Sequence, residues 1–128
     1  VHSALVQVAL FEALEAVPGV WPVYDSMPDE TALPYVEIGD SSEENIGSKS
    51  SPLYHHVVEV NLWADDDAGR MPVKEKAADI IAALVDTAPQ IAGAIAHDFE
   101  YDGLEVIREE TAGFVLAVLR LSIRTERE

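Results

Sequence analysis

Two segments of this chain decide its fold. The first is Leu33-Pro34-Tyr35-Val36-Glu37-Ile38-Gly39-Asp40, and the second, beyond a serine-rich interval, is His55-His56-Val57-Val58-Glu59-Val60-Asn61-Leu62-Trp63-Ala64. Successive side chains of a strand point to opposite sides. In the longer segment His56, Val58, Val60, Leu62 and Ala64 therefore share one face, and His55, Val57, Glu59, Asn61 and Trp63 share the other. The first set reads as a core face. The second mixes polar groups with a large aromatic ring, which predicts a sheet packed on one side and only partly apolar on the other.

Helices are predicted on both sides of this pair. Downstream, Val73, Ala77, Ile80, Ile81 and Leu84 recur at three- and four-residue spacing, with Pro72 suited to the first turn and Pro89 marking the end. Asp65-Asp66-Asp67 precede that helix, where the positive end of its dipole favours carboxylates. Upstream, a helix from about Ser3 to Ala16 carries Leu5, Val6, Ala9, Leu10, Ala13 and Leu14 on one broad face, with Val17 after it, and stops at Pro18-Gly19. Phe11 falls on its opposite side, between Gln7 and Glu15, so either a loop folds over it or it packs on a neighbouring subunit. Val20 to Asp25 reads as a short edge strand limited by Pro22, and Ser26-Met27-Pro28-Asp29-Glu30 reads as a turn.

The stretch from Asp40 to Pro52, with Glu43, Glu44 and Lys49 among its serines, reads as a mobile polar loop at about residues 41–52. It is long for a chain of this size, which makes it a candidate contact arm, with plain disorder as the other reading. Gln90 to Ala96 reads as an apolar connector. A C-terminal hairpin follows, with strands over Asp98 to Arg108, kinked at Gly103, and Phe114 to Thr125. Val115, Ala117, Leu119, Leu121 and Ile123 make its core face. The other face starts apolar, with Phe114, Leu116 and Val118, and ends polar, with Arg120, Ser122 and Arg124. Such a strand is covered by a helix or buried in an interface.

The order is α-β-β-β-α-β-β, an α+β fold: a mostly antiparallel sheet of four to five strands with two helices on one face. At 128 residues the chain is expected to form one domain, with room for a core. Both helices on one side leave the face bearing Trp63 and Phe114 without a cover, which oligomerisation would supply.

Charge narrows the partners. The formal net charge is −16 and the sequence pI is near 4.3, so the surface repels phosphate and anionic membranes. With 48% hydrophobic residues, periodically placed, the chain reads as folded despite that charge. No cysteine is present, which removes disulfides, thiolate metal sites and cysteine nucleophiles. No apolar run reaches membrane-spanning length, and Val1 onward does not read as a signal peptide.

Residues for catalysis are hard to find. His55 and His56 are adjacent on a strand and point to opposite faces, so they cannot readily hold one metal together. Asp98, Glu100 and Asp102 would align on one face of a regular strand, either as oxygen ligands for a divalent cation or as a solvated acidic face. Gly47-Ser48-Lys49-Ser50 lacks the upstream glycine and following helix of a phosphate loop, and no G-x-S-x-G motif occurs. No enzyme and no cofactor are expected.

Two groups of residues together resemble the tail-completion, or tail-terminator, proteins of siphophages, prophages and gene transfer agents. One is Val23-Tyr24-Asp25, Pro28, Leu33-Pro34-Tyr35-Val36 and Gly39-Asp40. The other is His56, Val58 to Trp63, Gly69, Lys74, Ala77, Ile80 and Leu84. The flanking helix and hairpin fit the same order, so the resemblance spans nearly the whole chain; its acidity and the short interval between Trp63 and the aspartate run depart from it. The resemblance implies a structural protein with no catalytic residues. Copies would assemble into a ring, commonly a hexamer, at the head-proximal end of a tail tube in a virion or virion-like particle made in the bacterial cytoplasm. The ring would end tube polymerisation and join the tail to a head-side connector or stopper, with DNA passing through unbound.

Candidate contact residues are then Phe11, Trp63, Phe114, Leu116 and Val118, with Glu43, Glu44 and Lys49 in the arm. Asp65, Asp66 and Asp67 are candidates to face the channel, and Glu43-Glu44 are a second acidic pair for that place. Two other functions compete. An acidic DNA mimic would occupy the basic groove of a DNA-handling enzyme, and a small oligomeric enzyme would use the Asp98, Glu100 and Asp102 row.

Overall fold

The computed structural model describes residues 1–26 and 31–128. The elements are α1 (Ser3–Glu15), β1 (Val23–Tyr24), β2 (Tyr35–Asn45), β3 (Leu53–Asp65), α2 (Met71–Leu84), β4 (Ala94–Ala96), β5 (Glu100–Glu109) and β6 (Phe114–Arg127). The strands form one sheet in the order β1-β2-β3-β6-β4, with β5 also pairing along β6. Every pairing is antiparallel except β1 with β2. Residues 27–30, most of the expected turn, lie outside the described residues.

The α+β fold expected from periodicity is the one found. His56, Val58, Val60, Leu62 and Ala64 of β3 are buried, as are Val115, Ala117, Leu119, Leu121 and Ile123 of β6. Against this face pack Val6, Leu10 and Leu14 of α1 and Val73, Ala77, Ile80 and Leu84 of α2, so both helices cover one side of the sheet. Lys76 of α2 donates to the Gly19 carbonyl at 2.6 Å and lies over the Trp21 ring, tying α2 to the chain that leaves α1.

Three expectations are corrected. The polar stretch from Asp40 is not a loop as far as Pro52: β2 continues through Glu43 and Glu44 to Asn45, pairing with β3 as far as Tyr54. A bulge between Ile38 and Ser41 shifts the register there, so that Glu43 stands opposite His56. The connector from Gln90 to Ala96 ends in a sixth strand, β4, which pairs with Thr125–Arg127. The three aspartates do not sit in the first turn of α2, which begins at Met71 with Arg70 at its N-cap and no acid in that turn.

The remaining serine-rich turn is held by side chains that stand in for backbone partners. Asn45 Oδ1 accepts from the Gly47 N–H at 2.9 Å and from the Leu53 N–H at 3.3 Å, while Ser48 Oγ accepts from the Ser51 N–H at 3.0 Å. Gly47 is required by space. A Cβ there would sit 2.5 Å from the Ser51 carbonyl oxygen and 2.7 Å from the Leu53 nitrogen, both backbone atoms with no rotamer to yield. Gly47→Ala is therefore expected to cost about 1–3 kcal/mol, the usual range for overpacking. A urea midpoint equal to that of the native chain would contradict this.

Candidate functional site

Among the described residues the second face of the sheet carries no helix, and the residues expected there are assembled on it. Trp63 stands opposite Leu116, Asn61 opposite Val118 and Asp65 opposite Phe114, while Ile107 of β5 pairs with Leu116 from the far side of β6. The rings form a continuous row. Tyr24 meets Tyr35 edge-on at 6.1 Å, Tyr35 stacks on Trp63 at 6.1 Å, and Trp63 tilts against Phe114 at 5.2 Å between centroids. Trp63, Phe114 and Leu116 are half-buried and Ile107 is exposed. The apolar area thus occupies one end of the face, with Glu59, Arg120, Ser122 and Arg124 toward the other.

A polar lattice fixes the tryptophan. Glu37 Oε1 accepts from Trp63 Nε1 at 3.2 Å and from Asn61 Nδ2 at 3.3 Å. The Tyr35 phenol has its pKa pushed up by burial and by the nearby Glu37 carboxylate. Asn61 Oδ1 is buried without a hydrogen-bond partner among the described residues. A buried carbonyl left in that state costs on the order of 1–3 kcal/mol.

The acidic candidates separate. Asp65 and Glu109 flank Phe114 in register, at the apolar end of the face. Asp65 Oδ1 accepts from the Asp67 N–H at 3.1 Å. Asp66 lies 3.8 Å from Arg108, which also reaches Glu110 at 3.7 Å, so Asp66 is partly neutralised where Asp65 and Asp67 are exposed. Glu43 and Glu44 are at the opposite end of the sheet, beside His56 and His55, roughly 30 Å away along β3 at the rise of a strand. Lys49 is exposed in the turn beyond them. Phe11 lies on the helix layer, half-buried against the core, at a cleft shared with Gln7, Val8, Glu12, Glu15 and Asp25.

The expected Asp98, Glu100 and Asp102 row is broken. A bulge between Tyr101 and Gly103 interrupts the strand, Asp98 precedes β5, and Asp102 Oδ1 accepts from Ser122 Oγ at 3.0 Å. Gly103 meets the backbone demand of that bulge with φ at +154°. Among the described residues no group of three or more His, Asp or Glu side chains is placed to hold a metal ion, and no helix is long and apolar enough to cross a membrane.

Sequence reasoning missed Tyr24, Tyr35 and Ile107 as members of this face. It also missed a buried cluster on the other side of the sheet, in which His2 and His56 share the hydroxyl of Thr125.

The protomer is thus a two-layer α+β subunit with an aromatic row on the sheet face opposite its helices. The chain matches the model of the family described as Tail completion protein gp17 over residues 5–126, and it belongs to that family. The resemblance seen in the sequence is thereby established, and the chain is a structural tail-completion protein of a phage-like tail rather than an enzyme. Its fold is similar to that of a chain in a solved structure titled "Virion of native gene transfer agent (GTA) particle", with a TM-score of 0.84 and 23% identity, covering 94% of each chain. A second solved structure is similar over 98% of this chain and 95% of its own, with a TM-score of 0.62 and 14% identity. At these identities the likeness is one of fold. No curated protein matches the chain.

Proposed function

We propose that copies of this chain close into a ring, most simply a hexamer, on the head-proximal end of a tail tube, where the ring stops tube growth and presents the surface that a head-side connector or stopper binds. One observation carries the reading: the sheet face opposite the helices bears the row Tyr24, Tyr35, Trp63 and Phe114, continued by Leu116, and Trp63, Phe114 and Leu116 are only half-buried there, whereas Tyr35 and Val118 are already buried within the protomer. Contiguous apolar area of this kind marks an interaction site.

The other contact residues extend this arrangement. Phe11 offers a second contact on the helix layer, and the far end of the sheet, where β2 carries Glu43 and Glu44 toward the turn with Lys49, meets a neighbour or a tail or head partner. A ring multiplies the charge of −16 per copy. Asp65 and Asp67 are the acids we place nearest the lumen, with Asp66 beside them. Phosphates of passing DNA would then be repelled from the wall within the ~8 Å reach of charge at physiological salt.

The test is mass in solution, combined with electron microscopy of the protein alone and added to purified tail tubes. Rings, or a cap of density on tube ends, are the expected result. Solitary protomers under both conditions would overturn the ring, and a ring with lysines and arginines along its lumen would overturn the channel assignment.

A further inference from the structure

The far end of the helix-covered face holds a second buried arrangement, apart from the aromatic row. The hydroxyl of Thr125 lies 2.8 Å from His2 Nδ1 and 2.8 Å from His56 Nε2. Thr125 is 0% exposed, His56 1% and His2 9%. The Tyr54 ring meets His2 edge-on at 4.9 Å. Glu43 Oε1 accepts from the backbone N–H of His2 at 2.6 Å and lies 3.9 Å from His56 Nδ1. His2 begins α1, its carbonyl accepting from the Val6 N–H at 3.0 Å. We infer that His2, Thr125 and His56 form an acid-released clamp that holds the start of α1 against the β2, β3 and β6 end of the sheet.

Hydrogen counting gives the mechanism. A threonine hydroxyl has one hydrogen to donate and two lone pairs to accept with. With both imidazoles neutral, one ring donates to Thr125 Oγ1 and the other accepts the threonine hydrogen, so all three groups are satisfied. A first proton is accommodated: placed on His56 Nδ1 it faces Glu43, and the chain of bonds through Thr125 survives. A second proton, on His2 Nδ1, aims two N–H donors at the same oxygen. The threonine hydrogen then has no acceptor, and two cations share a site closed to water.

The charged groups around the clamp act in both directions. Burial lowers the pKa of both rings. Arg127 of β6 adds to this for His2, and His2 and His55 of β3 add to it for His56, while Glu43 of β2 opposes it for both. A histidine whose pKa is lower in the folded chain gives stability that is complete above the unfolded value of about 6.5. That stability is lost as pH falls through 6.5 toward the folded values. The clamp therefore opens with acid, and loosens the Glu43 end of β2 as it does so.

Hydrogen exchange of the native chain from pH 7.5 to 5, corrected for intrinsic exchange chemistry, reads this directly. The opening of residues 3–10 is expected to rise about tenfold per pH unit for each proton taken up, while the centres of β3 and β6 stay protected. His2→Gln and His56→Gln should each flatten that slope, whereas a merely structural role would leave the slope unchanged. Flat protection of α1 across the range, or an unaltered slope in both variants, would overturn the clamp. Should either variant fail to fold, ring titration of the native chain by NMR decides: both rings titrating below the ordinary imidazole range supports the clamp, and titration at or above it overturns it.

Discussion

Replacing Phe99 by alanine is expected to remove about 3–5 kcal/mol of stability, the range for a buried phenylalanine, out of a total that for a domain is typically about 5–15 kcal/mol. Phe99 is the largest fully buried side chain, at 1% exposure, although it belongs to no strand. Its backbone is held on both sides. The Phe99 N–H donates to the Thr87 carbonyl at 2.9 Å, the Phe99 carbonyl accepts from the Asp86 N–H at 2.9 Å, and Thr87 Oγ1 in turn donates to the Leu84 carbonyl at 2.5 Å. The ring closes the space between the ends of the two helices, beside a cleft of about 260 Å³ lined by Ala13, Val17 and Leu84. Pinned backbone on either side prevents the site from collapsing around a smaller residue, so the cavity term persists. Urea unfolding with an unchanged slope and a much lower midpoint is the expected outcome. Phe99→Leu should fall between the two chains. A loss below about 1 kcal/mol for the alanine variant would mean that the wedge is not structural.

Phe99 also shows where sequence reading stops. The alternation in β3 and β6 and the spacing in α2 were legible because one face of each is buried along its whole length, so hydropathy repeats with the geometry. Trp63, Phe114, Leu116 and Val118 could be assigned to a second, uncovered face by the same rule. Phe99 falls within the strand expected over Asp98 to Arg108 but lies just ahead of β5, and its burial depends on where α1 and α2 end. The outer half of β2 was illegible for another reason. Ser41-Ser42-Glu43-Glu44-Asn45 is polar on both faces, and its strand conformation comes from backbone pairing with Tyr54–Val58, which side-chain patterning does not encode. Tyr24 joins the aromatic row only because β1 lies parallel to β2 at the sheet edge. The clamp is the extreme case: His2 and Thr125 are 123 positions apart, and nothing local marks either one.

Trp63→Ala is expected to disperse the proposed ring while leaving the protomer folded. Within one copy the tryptophan is half-buried, stacks on Tyr35, touches Phe114 and donates to Glu37. Aromatic contacts of this type are worth about 0.5–1.5 kcal/mol each and a hydrogen bond to a charged acceptor about 1.5–3 kcal/mol, though alanine leaves Glu37 free to turn toward water. The protomer should therefore lose about 1–3 kcal/mol and still fold. Between copies the same ring is at the centre of the apolar area, where truncating a tryptophan commonly costs 2 kcal/mol or more per interface. At 1.4 kcal/mol per factor of ten, each contact weakens by about 30-fold or more. A closed ring repeats that contact at every junction, so the loss compounds around the circle, and mass measurements should shift to the 13.9 kDa protomer. Phe114→Ala should act in the same direction. Arg124→Ser, exposed at the polar end of the same face, should leave assembly intact. Rings that persist in the Trp63 and Phe114 variants, at native affinity and with native circular dichroism, would show that copies meet elsewhere, and the aromatic row would then need another partner.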